Sequence, residues 1–113
     1  MGLNAFTPLG NTVVFTANTA APTPVQVASS SLGGNQYRVI NAGNVTVHLG
    51  FASTSALAAT NATIPTGGGA NSAISIPIIA STDEILSFVP NMYVTGITAS
   101  GTAVVYITPG DGL

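Results

Sequence analysis

The chain has 113 residues and no cysteine: long enough for one domain with its own core, and unable to form a disulfide framework, a thiolate nucleophile or a Cys-based metal site. Charged residues make up 4% of it, against about 25% in ordinary soluble domains, and they are Arg38, Asp83, Glu84 and Asp111. A single cation argues against phosphate-backbone contacts with nucleic acid and against a basic helix lying on a membrane surface, and no apolar run reaches the ~18–20 residues of a membrane span.

The opening stretch, "MGLNAFTPLGNTVVF", carries neither a basic region nor a continuous apolar segment, so it does not read as a signal peptide. Residues 1–11 read instead as an arm, with Phe6 and Leu9 as its apolar contact residues. Short runs rich in Val, Ile, Thr, Tyr and Phe then follow. They are "TVVFTAN" (12–18), "PVQVAS" (24–29), "QYRVIN" (36–41), "VTVHLGF" (45–51), "AISIPI" (73–78), "EILSFV" (84–89), "YVTGITA" (93–99) and "TAVVYIT" (102–108). Gly, Pro, Asn and Ser punctuate them, which is the spacing of strands in a sandwich or barrel.

Between the fourth and fifth runs, "STSALAATNATI" (53–64) differs. Hydroxyl residues suited to capping precede an Ala/Leu run, so a short helical insert is expected near residues 53–60. It is too short to persist without packing on the sandwich. "TGGGA" (66–70) reads as a loop, and residues 109–113 read as a second arm. The expectation is all-β: one domain over 1–113, an eight-stranded two-sheet sandwich, jelly-roll-like, with an immunoglobulin-like sandwich as the competitor.

Arg38 and His48, the only Arg and the only His, flank "AGN" (42–44). A three-residue hairpin loop there pairs Val39 with Val47 and Tyr37 with Leu49 on an apolar face. Arg38 then faces His48 on the outward side with no carboxylate nearby, and the cation holds the imidazole neutral. The pair reads as a polar contact patch or as two solvated residues. One His without companion ligands does not make a metal site.

Asp83 and Glu84 are adjacent in a strand and point to opposite faces, so they make a poor acid/base pair. Asp83 reads as a turn residue accepting backbone N–H bonds. "GDG" around Asp111 lacks the alternating oxygen ligands of a Ca²⁺ loop. Tyr37, Phe88 and Tyr106 fall on apolar strand faces and read as core. Tyr93, after "PNM", reads as a rim residue. No catalytic, cofactor-binding or metal-binding residues are expected, no cofactor, and no enzyme activity. Hydrophobic residues make up 46% of the chain and the mean hydropathy is +0.55. A surface so poor in charge tends toward self-association.

Three stretches, "FTPLGNTVVFTANTAAPTPVQV", "NQYRVINAGNVTVHLGF" and "FVPNMYVTGITASGTAVVYITPGDGL", together resemble a family of small virion proteins of tailed bacteriophages. Its members run from F-x-P-L-G-x-T near the start to VYITPGDGL at the end. The resemblance covers nearly the whole chain and is weakest over 52–72. It implies a jelly-roll-like head decoration or cement protein on the outside of the capsid, assembled in the host cytoplasm. It implies binding across subunits of the phage major capsid protein, as a homo-oligomer (dimer or trimer), and brings no catalytic motif. The candidate partner contacts are Arg38, His48, Phe6, Leu9 and Tyr93. The alternatives are a head-fibre or tail-associated adhesion module, and a carbohydrate-binding β-sandwich.

Overall fold

Every strand run of the sequence becomes a strand, and the alternation within each decides what is buried. The computed structural model describes residues 6–27, 36–70, 73–87, 89 and 91–111. In chain order the strands are β1 (Thr7–Pro8), β2 (Val13–Ala17), β3 (Val25–Val27), β4 (Gln36–Asn41), β5 (Val47–Ala52), β6 (Ser75–Ile78), β7 (Asp83–Ser87), β8 (Met92–Ile97) and β9 (Ala103–Asp111). Helix α1 (Ser55–Asn61) stands between β5 and β6.

The pairings nest. β5 pairs with β6, β4 with β7, β3 with β8 and β2 with β9, all antiparallel. Successive pairs of this long ribbon fall in opposite sheets. One sheet runs β2-β9-β4-β7 with β1 beside the end of β9; the other runs β3-β8-β5-β6. A nested ribbon rolled into two sheets is the jelly roll, which leaves short edge strands as it closes on itself. The fold is therefore an all-β sandwich with one short helix.

The core lies between the sheets. Phe15, Tyr37, Val39, Val105 and Ile107 from the first meet Val27, Val47, Leu49, Ile78 and Val94 from the second, all less than a tenth exposed. Tyr37 and Phe51 stack across the gap with ring centroids 6.1 Å apart. The Tyr37 hydroxyl donates to Val89 O (2.7 Å) and accepts from Met92 N–H (3.3 Å), so this large core residue also satisfies backbone groups. Gly96 leaves room for the core: a Cβ there would meet Val47 Cγ1 at 2.7 Å.

The hairpin expected over 36–51 does not form. β4 pairs with β7 and β9, β5 pairs with β6 and β8, and "AGN" carries the chain from one sheet to the other. The cause is Asn41, which is fully buried. Its amide donates to Val45 O (2.9 Å) and Ile78 O (3.0 Å) and its Oδ1 accepts from Gly43 N–H (2.9 Å). A buried amide that meets its own hydrogen-bonding needs this way fixes the bend. Gly43 is there for closeness: a Cβ would lie 2.4 Å from Ala103 Cβ. The inward set of Tyr37, Val39, Val47 and Leu49 still holds, because alternation belongs to each strand and not to its partner.

The two expected arms are in part strand. Thr7 and Pro8 pair with Asp111 and Gly110, and Leu9 N–H donates to Pro109 O (2.9 Å). Residues 109–111 complete β9. The N-terminal segment has a register break: Pro8 faces Gly110 and Val13 faces Ile107. Two extra residues bulge between them at Gly10–Asn11. Residues 1–5 and 112–113, and Phe88, lie outside the described residues.

Helix α1 forms as the sequence indicates. Thr54 is its N-cap, with Oγ1 accepting from Leu57 N–H (3.2 Å). The helix lies on the outer face of the second sheet, where a Cβ at Gly50 would come within 2.4 Å of Ala62 N and 2.5 Å of Ala58 O. Gly50 lets the helix backbone rest directly on the strand. No helix is long and apolar enough to cross a membrane among the described residues.

Candidate functional site

Among the described residues, nothing covers the outer face of the first sheet. Register places Val14, Tyr106, Ile40 and Asp83 in one cross-strand row. The next row holds Thr108, Arg38 and Ile85, continued by Thr12, whose hydroxyl bonds that of Thr108 at 2.7 Å. Val14 is 54% exposed, Ile85 49% and Tyr106 41%. Tyr106 is thus a surface residue rather than a core one, since alternation along β9 buries Val105 and Ile107 and turns Tyr106 outward.

Arg38 crosses diagonally to Asp83. Both Nε (3.2 Å) and Nη2 (3.0 Å) donate to Asp83 Oδ2, with both side chains about half exposed. This overturns two expectations. Arg38 has a carboxylate partner, and it is not His48; Asp83 opens β7 and holds a cation rather than capping a turn. The two residues are 45 positions apart in the chain, so the jelly-roll winding alone brings them together. An exposed pair of this kind adds at most about 1 kcal/mol to stability.

Two shallow depressions flank the pair. The larger, about 530 Å³, is bordered by Phe6, Pro8, Thr108 and Ile85. The smaller, about 320 Å³, is bordered by Ala42, Ser81 and Thr82. Arg38, Ile40 and Asp83 line both. Phe6 stands at the end of this face: a Cβ on Gly110 would meet its ring at 2.5 Å.

Of the five expected contact residues, Arg38 and Phe6 share this groove. Leu9 is half-buried beside β9. His48 and Tyr93 belong to the second sheet, where His48 faces Pro77 and Ile97, and Tyr93 faces Ala52 and Gln26. Burial holds the His48 imidazole below its ordinary pKa. The neutral form is favoured as expected, but by desolvation and not by Arg38. Its Nδ1 is buried with no hydrogen-bond partner among the described residues. Burial likewise raises the Tyr37 phenol, against the effect of backbone hydrogen bonds from Met92 and Asn91.

The described residues hold no group of three or more His, Cys, Asp or Glu side chains able to bind a metal ion. Sequence reasoning places Ile40 outward beside Arg38 but misses Val14, Ile85 and Tyr106 as its apolar companions. The signal lay in runs such as "VVF", "RVI", "EIL" and "VVYI". They place apolar residues on both faces of a strand, where a strand with one solvated face would alternate. Comparison with protein-family models, curated proteins and solved structures returns no match for the chain.

Proposed function

We propose that this protein is a structural component of a tailed-phage virion that decorates or cements the outside of the capsid by binding across subunits of the major capsid protein. The virion assignment rests on the resemblance of the three quoted stretches to that family. The observation that carries a contact role is a surface almost without charge that presents large apolar side chains on both sides of the sandwich. Val14, Ile85 and Tyr106 lie on one side. On the other, Leu57 projects from α1, and Ile74, 80% exposed, is tied to the helix end by its N–H to Asn61 Oδ1 at 3.4 Å.

Such a surface buries apolar area without stripping water from many ions. Repetition of one modest contact over many equivalent shell sites then gives strong total binding. The test mixes the purified protein with empty expanded shells of the capsid protein encoded by the same genome. Saturable binding at fixed lattice positions in a cryo-EM map is expected. Failure to bind shells, together with binding to host cells or to a glycan array, would replace this reading with the adhesion or carbohydrate-binding one.

A further inference from the structure

We propose that the outer face of the first sheet is a twofold homodimer interface, with a second copy of this chain as its occupant. The reading is independent of the virion assignment.

An isologous contact needs a surface complementary to itself. This face carries one charge of each sign, Arg38 and Asp83, set diagonally on neighbouring strands. Its formal charge is zero, whereas the whole chain carries −2. A strongly acidic or basic partner finds nothing here to match, and a second copy finds both signs.

The register makes the geometry explicit. Strands lie about 4.8 Å apart and alternate residues about 6.8 Å apart along each. On that lattice, consider a twofold axis lying in the plane of contact and passing midway between Arg38 and Asp83. It places Arg38 of each copy over Asp83 of the other. The same rotation brings Ile40 and Ile85 each to within about 3 Å, in projection, of its own counterpart. Val14 falls over Val104 of the second copy, the next outward residue of β9 beside Tyr106, and Val104 over Val14. Charged groups meet opposite charge and apolar groups meet apolar ones from a single choice of axis.

The size of the face sets the class of contact. Four strands by about four alternate-residue rows cover roughly 19 by 27 Å, on the order of 500 Å² a side, where a standard interface uses about 800 Å² a side. A contact this small belongs with weak, transient interfaces, and we assign it a Kd on the order of 10–100 μM. It fills at the high local concentrations of an assembly and empties in dilute solution.

Sedimentation equilibrium from about 10 μM to about 1 mM spans that range. The native chain is expected to pass from monomer to dimer. R38D and D83R each set like charges across the axis and are expected to weaken dimerisation at least ~10-fold. An equimolar mixture of R38D with D83R faces two negative positions with two positive ones, and is expected to regain the dimer although neither variant holds an ion pair within its own chain. Because the native pair is exposed, both variants stay folded, which a thermal melt by circular dichroism checks. A native chain that stays monomeric throughout overturns the proposal. So does a mixture that behaves like either variant alone, or a single variant that dimerises as the native chain does. The measurement uses no shells, so a protein that dimerises yet ignores capsids keeps this interface and loses the virion reading.

Discussion

On the outer face of the second sheet, Gly50 lies beneath helix α1; on the outer face of the first, Val14, Ile40, Ile85 and Tyr106 lie beneath nothing among the described residues. Both faces come from strands with the same alternation, and both leave apolar groups pointing away from the core. The covered face solves this inside the chain, by shrinking its side chains until a helix backbone fits. The bare face keeps β-branched and aromatic side chains of the kind that pack across strands. Small residues mark a surface already occupied within the chain, and large apolar ones mark the face we propose for a second copy.

The hardest blow to this contrast falls at Gly50. In Gly50→Val the new Cβ meets helix backbone, at 2.4 Å from Ala62 N and 2.5 Å from Ala58 O, and backbone cannot swing aside as a side chain can. Overpacking of this kind is expected to cost about 3 kcal/mol and lower Tm by roughly 10–15 °C. A melt unchanged from the native one would show that α1 does not rest on this strand. Next comes Asn41, which sends β4 and β5 to different sheets and so creates two faces to compare. Asn41→Ala leaves Val45 O, Ile78 O and Gly43 N–H without their side-chain partner, an expected loss of about 2–3 kcal/mol in urea denaturation. A loss under ~0.5 kcal/mol would mean that the bend is set elsewhere.

Two smaller changes sharpen the contrast. Thr54→Ala removes the acceptor of Leu57 N–H at the start of the covering helix, and about 1 kcal/mol should be lost. Ile85→Thr trims the bare face, where the side chain is already half in water. Measured in dilute, monomeric protein, it is expected to change stability by no more than ~0.5 kcal/mol. If Ile85→Thr cost as much as Thr54→Ala, the bare face would be contributing to the fold of the single chain and could not be regarded as spare surface.

Much of the fold is legible in the sequence. Each strand run is bounded by its own Gly, Pro or Asn, so strand positions are set locally and agree with the structure to within a few residues. The helix announced itself through Thr54 and the Ala/Leu run. Partners were not readable. "AGN" is short enough for a hairpin, and only the burial of Asn41 and the approach of Gly43 to Ala103 turn it into a crossover. Those depend on β9, some sixty residues on, being rolled against β4 (Asn41 faces Val105). The pairing of Arg38 with Asp83 has the same origin. It follows from which strands lie side by side, and a single sequence carries no local mark of that.

The smallest expected effect concerns His48, on the covered sheet. Its cross-strand neighbours are Pro77 and Ile97, neither of which carries charge, and burial depresses its pKa below the ordinary 6.5. The folded protein therefore binds its proton less readily than the unfolded chain does. Above pH 6.5 both states hold the imidazole neutral and the group adds no slope. As pH falls below 6.5 the unfolded chain takes up the proton first, and stability declines until pH passes the folded pKa. Denaturation midpoints between pH 7.5 and about 5 should show this decline, and H48Q should flatten it over that window while leaving the pH 7.5 midpoint near native. The native slope surviving unchanged in H48Q would show that His48 is not its source. A slope that disappears in H48Q and persists in R38D would place its source at His48, on the covered sheet.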